Sequence, residues 1–127
     1  MAGQVVHFEI PVDDQERARS FYREAFGWRL EPVPQMSYTM VTTAALDEQG
    51  QPAEVGAING GMLQRQPPVT NPVVVISVDD IDTTLGQVER LGGTVQQPRT
   101  KVGDMGYSAY FTDPEGNTLG LWQSAGG

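Results

Sequence analysis

The sequence has no cysteine and only one histidine, His7. The absence of cysteine excludes disulfide bonds, thiolate nucleophiles and thiolate metal sites. It also fits a cytoplasmic protein, because disulfides are rare in the reducing cytosol. Any site in this chain that needs an imidazole group must use His7.

Basic residues are few, with 8 Lys and Arg against 16 Asp and Glu, which gives a net charge of −8. A nucleic-acid partner is disfavoured, because phosphate binding needs clustered basic residues and these are scattered. An anionic membrane surface is disfavoured for the same reason. No apolar run approaches the roughly 20 residues that span a bilayer, and Met1–Gln4 lacks the features of a signal peptide. We therefore expect neither nucleic acid nor membrane as a partner.

The chain of 127 residues is most simply one domain, and its 39% hydrophobic residues suffice for a core. It also contains an internal repeat, because the segment Val6–Asp14 resembles the segment Pro72–Asp80. In this alignment His7 lies opposite Val73. The repeat predicts two similar modules, at about residues 4–64 and 72–124, joined by a linker at about 65–71.

Each module has the pattern β-α-β-β-β, which predicts the α+β class. In the first, a strand over 5–12 alternates apolar and polar residues, and Asp13 with Glu16 resembles a helix N-cap. Gly27 ends this helix, and strands follow at 28–33, 37–44 and 54–63. In the second, a strand over 73–78 precedes a helix capped by Asp79 or Asp80 and ended by Gly92–Gly93. Its further strands are predicted at 94–97, 107–112 and 118–123, with a polar loop from Arg99 to Gly106 that is most simply a surface hairpin.

Four segments stand out together: His7–Asp14, the helical segment from Ala18 to Trp28, Val75–Asp80 and Tyr110–Asn117. In combination they resemble the vicinal oxygen chelate superfamily, which includes glyoxalases, bleomycin-resistance proteins and dioxygenases. The resemblance implies two βαβββ modules in a curved mixed sheet around a pocket, usually in a homodimer. It does not imply one function, because members of this fold catalyse different reactions or only bind ligands.

The resemblance also implies where a metal would bind, since metal-using members take one ligand from the first and one from the last strand of each module. Only His7 matches such a position. Val73 and Gly120 supply no side-chain donor where ligands are expected, and Asn59 offers only a neutral amide. A divalent ion needs several converging N or O donors. We therefore expect no metal at this position and no cofactor.

His7 and Glu9 are the candidate catalytic residues, because they fall on one face of the first strand. His7 is suited to acid–base chemistry or to hydrogen bonding with a ligand, but it is equally consistent with a polar residue left on a half-buried strand. Glu9 would act as a general base in a pocket, whereas a rim carboxylate is the simpler interpretation.

The candidate ligand-binding residues are His7, Asn59, Trp122, Met40, Tyr38 and Tyr107. Asn59 precedes Gly60, so a turn competes with a strand position. Trp122 shares a face with Gly120 and is suited to stacking on a planar ligand, although core packing is as good an explanation. Tyr38 and Tyr107 are assigned to equivalent places in the two modules.

These features favour a protein with an apolar, metal-free pocket that binds a small organic molecule. A metal-independent lyase, isomerase or hydroxylase using His7 and Glu9 is the second hypothesis. A non-catalytic homodimeric interaction protein is the third. Whether the modules pair within one chain or between two chains does not follow from the sequence.

Overall fold

The computed structural model describes residues 3–126. The chain divides into two compact units. The N-terminal module runs from His7 to Pro72. The C-terminal module contains residues 73–126 and also residues 3–6, since the backbone of Gly3 and Gln4 is hydrogen-bonded to Ser77. Residues 3–6 therefore belong to the second module, which the repeat did not predict.

The N-terminal module contains one helix and four strands in the predicted order. Its elements are β1 (Val5–Val12, in this module from His7 on), α1 (Gln15–Phe26), β2 (Arg29–Val33), β3 (Tyr38–Thr42) and β4 (Asn59–Gln64). A short 3₁₀ turn, Pro34–Met36, connects β2 to β3. The strand order is β2-β3-β4-β1, with β1 parallel to β4 and the other pairs antiparallel.

Alternation along the strands gives this sheet two chemically different faces. One face packs against Ala18 and Tyr22 of α1, and its core residues are Val12, Leu30, Val41 and Met62 with Phe8 and Ile10 beside them. The opposite face carries the residues between them in sequence. We call it the site face, and it is defined by His7, Glu9, Tyr38, Met40, Asn59 and Gly61.

Helix α1 begins one residue later than the sequence predicted. Asp14 is the N-cap, and its carboxylate accepts a hydrogen bond from the backbone N–H of Arg17 at 3.0 Å. Asp13, the residue predicted to cap the helix, instead forms an ion pair with Arg65 at 3.1 Å. Both residues are acidic, so composition alone did not distinguish them. Gly27 ends the helix with a φ of 72°, as predicted.

The C-terminal module repeats the same architecture. Its elements are β5 (Val73–Ser77), α2 (Ile81–Arg90), β6 (Thr94–Val102), β7 (Gly106–Thr112) and β8 (Thr118–Ser124), in the strand order β5-β8-β7-β6. Asp80 caps α2 by accepting from the backbone N–H of Thr83 at 3.0 Å. Ile81 and Leu85 of α2 pack on Ala109, Phe111 and Leu121 of the sheet. The α+β class and the β-α-β-β-β order of both modules are confirmed.

Two strand boundaries differ from the prediction by more than two residues. β4 begins at Asn59, so the segment from Glu54 to Ile58 is not part of it. β6 extends to Val102, and most of the predicted loop after Arg99 is therefore strand in a long hairpin with β7. Irregular register between Val95 and Thr100 interrupts this pairing.

Candidate functional site

Three polar side chains of the N-terminal module meet on the site face. His7 and Glu9 project from β1, and Tyr38 reaches them from β3. The Tyr38 hydroxyl lies 3.0 Å from Nε2 of His7 and 3.4 Å from Oε2 of Glu9. We call His7, Tyr38 and Glu9 the polar trio. The sequence placed all three among the candidates, but it did not predict that Tyr38 bridges the other two.

The contacts of the Tyr38 hydroxyl with His7 and Glu9 determine which group donates and which accepts in the polar trio. A hydroxyl has one hydrogen, and Tyr38 donates it to Glu9. His7 satisfies the second bond when Nε2 carries a hydrogen and donates to the hydroxyl oxygen. Burial lowers the pKa of His7 below its ordinary value, because the charged imidazolium loses solvation. The lowered pKa favours the neutral imidazole, and the tautomer with its hydrogen on Nε2 is the one that can donate to the Tyr38 hydroxyl.

Glu9 is a buried acid, with only 9% of its surface exposed. Acidic residues are seldom this buried unless they have hydrogen-bond or charge partners. The hydroxyl of Tyr38 is one such partner. The position of Glu9 on β1 is consequently not the exposed rim position that the simpler interpretation of the sequence suggested.

Gly61 provides the space that Tyr38 occupies. It lies on β4 between Glu9 of β1 and Met40 of β3, its partners in register. A Cβ atom placed on Gly61 would overlap the hydroxyl end of the Tyr38 ring. Glycine inside a strand often marks a close approach of another group. The internal repeat could have identified Gly61, because Gly120 also lies in the last strand of its module. Gly61 was nevertheless not among the residues predicted to form the site.

Asn59 lies in a strand and not in a turn, but its amide is engaged with the backbone. Its Oδ1 accepts hydrogen bonds from the backbone N–H groups of Thr43 at 2.7 Å and Ala44 at 3.0 Å. Its Nδ2 donates to the carbonyl of Ala44 at 3.3 Å. The side chain thus holds the end of β3 against the start of β4. A role for Asn59 in ligand binding stays a prediction, and it would compete with these bonds.

Met40 is the apolar neighbour of the polar trio. It lies on β3 two residues after Tyr38, on the same face, and pairs with Gly61 in register. It remains 44% exposed, which is high for a methionine inside a sheet. The site face therefore offers an accessible and adaptable apolar surface beside the hydrogen-bonding groups.

Trp122 belongs to the C-terminal module and lies on the sheet face opposite α2. It is on β8 two residues after Gly120, and its indole N–H donates to the Ser124 hydroxyl at 3.3 Å. Gly106 of β7 makes room for the ring, since a Cβ there would lie 2.8 Å from the indole. The predicted shared face of Trp122 and Gly120 is confirmed, and a role in ligand binding stays a prediction.

Tyr107 is not the structural counterpart of Tyr38, which corrects the sequence alignment. It packs against the core beside α2, and the guanidinium of Arg99 lies 4.7 Å from its ring centre. Tyr110 is the tyrosine of β7 on the opposite face, and its ring approaches Gly120. The alternation of β7 places Tyr107 and Tyr110 on different faces, because they are three residues apart.

The strand register also corrects the expected metal-ligand positions. Glu9 is paired with Gly61, whereas Val75 is paired with Gly120. The N-terminal counterpart of Gly120 is therefore Gly61 and not Asn59. Both positions are glycine and offer no side-chain donor. Within residues 3–126, no three His, Asp or Glu side chains form a cluster suited to a metal ion. The donor set does not fit the four-ligand site that the family resemblance implies.

A surface groove of about 600 Å³ lies beside Tyr38 in the N-terminal module. It runs between the start of α1 and the connection from β2 to β3, and its lining includes Asp14, Gln15, Arg19, Pro34, Ser37 and Tyr38. Two of these residues are anchored on buried Thr39, since its hydroxyl donates to Gln15 at 2.8 Å and accepts from Arg19 at 3.3 Å. The lining mixes polar side chains with the apolar residues Pro32, Val33 and Pro34. No helix within the described residues is long and apolar enough to cross a membrane.

Two βαβββ modules of this kind define a glyoxalase-like fold. A family model described as bleomycin resistance protein-like N-terminal matches residues 4–44. The glyoxylase-named protein CFP32 of Mycobacterium tuberculosis is 32% identical over 116 residues, which cover 91% of this chain and 44% of the relative. A glyoxylase-like domain-containing protein of Didymella fabae is 28% identical over 124 residues and is covered to 90%.

Solved structures show the same fold. Methylmalonyl-CoA epimerase of Streptomyces coelicolor superposes with a TM-score of 0.63 at 17% identity, with 98% of this chain and 99% of the epimerase covered. A hypothetical protein of Bacillus halodurans gives a TM-score of 0.65 at 13% identity, with 100% and 98% covered. The family model, the glyoxylase-named relatives and the superposed epimerase together indicate the vicinal oxygen chelate superfamily of glyoxalases and bleomycin-resistance proteins. It spans less than half the length of the mycobacterial relatives, of which it covers 44%.

Proposed function

We propose that this chain binds a small organic molecule on the site face of its N-terminal module without a metal ion. The observation that carries the proposal is the polar trio, in which Tyr38 joins a neutral His7 to a buried Glu9. Buried polar groups cost free energy unless they are hydrogen-bonded, so their retention on one sheet face is typical of a binding site. The glyoxylase-named relatives support a site of this general kind.

The chemistry of the site face favours a ligand without negative charge. Glu9 contributes an acidic group, and His7 contributes no positive charge because burial lowers its pKa. The exposed side chain of Met40 adds an apolar surface. We therefore expect a neutral or cationic molecule with an apolar part and a hydrogen-bonding group. An anionic molecule would find no cation in the polar trio to compensate its charge.

A thermal-shift screen tests this proposal with three matched sets of small metabolites that are neutral, cationic and anionic. We expect reproducible shifts in the neutral or cationic set, and loss of those shifts in the Tyr38→Phe variant. A control variant, Tyr22→Phe, removes a hydroxyl from the α1 side of the sheet and should retain them. Shifts confined to the anionic set would contradict the charge argument.

A metal analysis of protein purified without chelators tests the metal-free site. About one tightly held ion per chain would contradict it.

A second function, acid–base catalysis by His7 and Glu9, is favoured by their connection through Tyr38. A carboxylate that removes a proton from carbon beside a carbonyl, and returns it to the same or a neighbouring atom, performs an isomerisation without redox change. One of the superposed structures is named as an epimerase, which supports this class as a candidate. Turnover of an isomerase substrate that is unchanged in both Glu9→Gln and His7→Gln variants would remove this hypothesis.

A homodimer in the cytoplasm is part of the same proposal. The family resemblance supports the dimer, and the absence of cysteine supports the location. Light scattering after gel filtration should give twice the chain mass of 13.8 kDa. A dimer that gives no thermal shift with any ligand set would favour the third hypothesis, a non-catalytic interaction protein.

A further inference from the structure

We infer that Gly61 is a positioning residue of the polar trio: its missing side chain admits the Tyr38 ring against β4 and so holds the hydroxyl between His7 and Glu9. The inference deepens the proposed function, because it names the residue on which the geometry of that site depends. The position of the Tyr38 hydroxyl can be measured without a ligand.

The close approach of Tyr38 to Gly61 carries the inference. A Cβ atom on Gly61 would meet Oη, Cζ and Cε2 of Tyr38 far inside 3.0 Å, a distance that real Cβ contacts essentially never go below. Any side chain at position 61 therefore requires the ring to move. The hydroxyl is the end of the ring nearest to Gly61, and it is the group that bonds His7 and Glu9.

Backbone conformation does not explain why position 61 is glycine. The glycines with positive φ in residues 3–126 do not include Gly61, so its backbone conformation is one that other residues adopt. Glycine in a strand interior also costs stability, because it has no side chain to pack and loses more conformational freedom on folding. Room for Tyr38 is the compensating gain that the structure shows.

The test exploits the fact that His7 is the only histidine in the chain. Its two ring nitrogens give the only imidazole signals in a ¹⁵N NMR spectrum, and their shifts report which nitrogen carries the hydrogen and whether its bond to Tyr38 exists. We expect Gly61→Ala to shift these signals to the values of Tyr38→Phe. The double variant with Gly61→Ala and Tyr38→Phe should then show little further change in the His7 signals.

Gly86→Ala is the matched control. Gly86 lies in α2, and a Cβ there would meet no heavy atom within 4 Å. The same change of one hydrogen to a methyl group should leave the His7 signals at wild-type values and raise the melting temperature, because alanine favours helix. Wild-type His7 signals in Gly61→Ala would overturn the inference, since Tyr38 would then tolerate a side chain at position 61.

A second variant decides the result if Gly61→Ala does not fold. In a Tyr38→Ala background the ring is gone, so adding Gly61→Ala should cost little melting temperature. A loss as large as in the wild-type background would show that the methyl group conflicts with something other than Tyr38 and would overturn the inference.

If the His7 signals change as expected but no metabolite binds, the inference stands and the proposed function fails. If metabolites bind and the signals do not change, only the inference fails.

Discussion

Replacing Tyr38 by phenylalanine removes one oxygen atom from the centre of the polar trio and leaves the ring in place. Two hydrogen bonds are lost, one from His7 at 3.0 Å and one to Glu9 at 3.4 Å. The ring still fits over Gly61, because phenylalanine has the same shape apart from the hydroxyl. The variant therefore isolates the hydrogen bonds from the packing of the side chain.

The size of the effect follows from the two distances. A typical intramolecular hydrogen bond contributes a net 0.5–1.5 kcal/mol, roughly, to the free energy of unfolding. The bond from His7 has ordinary length, whereas the bond to Glu9 is long and contributes less. Loss of a partner at buried Glu9 adds a desolvation cost. We expect Tyr38→Phe to lower the free energy of unfolding by about 1–2 kcal/mol.

Urea denaturation followed by tryptophan fluorescence measures this change, with the denaturant slope confirming that both proteins unfold alike. Tyr22→Phe serves as the control. Tyr22 stacks on Trp28 at 5.0 Å between ring centres, and its hydroxyl has no hydrogen-bond partner within residues 3–126. Tyr22→Phe should lower the free energy of unfolding by less than about 0.5 kcal/mol, as substitutions at the protein surface usually do. Equal stability of Tyr38→Phe and wild type would refute the reasoning, because the polar trio would then contribute no net hydrogen bonding.

Three further predictions concern other parts of the chain. Burial lowers the pKa of His7 in the folded state, so below about pH 6.5 the unfolded chain binds more protons and stability falls, by at most about 1.4 kcal/mol per pH unit. His7→Gln should flatten a plot of melting temperature against pH between 5 and 6.5, and an unchanged slope would contradict the assignment. Asp14→Ala removes the N-cap bond to Arg17 and should cost about 1 kcal/mol by urea denaturation, whereas Asp13→Ala should not weaken α1 comparably in circular dichroism. Met62→Ala empties a fully buried position in the N-terminal core and should cost 2–5 kcal/mol, roughly, so a loss below 1 kcal/mol would show that the core collapses around the gap.

The periodicity of apolar residues predicted most of the secondary structure, because it shows which face of each helix or strand is buried. Phe8 and Ile10 were correctly assigned to one face of β1, and His7 and Glu9 to the other. Boundaries set by chemistry at single residues were less predictable. Asp13 and Asp14 are equally good caps in sequence, and only the geometry of the turn decides which carboxylate reaches the backbone N–H of Arg17.

Pairing between strands was outside the reach of the sequence. The equivalence of Asn59 with Gly120 was an error of two residues, which preserves the face and so leaves the hydrophobic pattern unchanged. The equivalence of Tyr38 with Tyr107 was an error of face, because the alignment of β3 with β7 has no strong pattern to fix it. The internal repeat therefore predicted the order of elements in each half of the chain, but not which individual positions are equivalent.

The sequence by itself determined the α+β class, the repeated β-α-β-β-β order and the presence of only one imidazole, because these depend on composition and on local periodicity. Tertiary structure decided that Tyr38 bridges His7 and Glu9, since those residues are 29 to 31 positions apart in the chain and meet only when β1, β3 and β4 are in register. It also decided the importance of Gly61. A glycine has no side chain whose chemistry a sequence can display, and its role is visible only as the space that another residue fills.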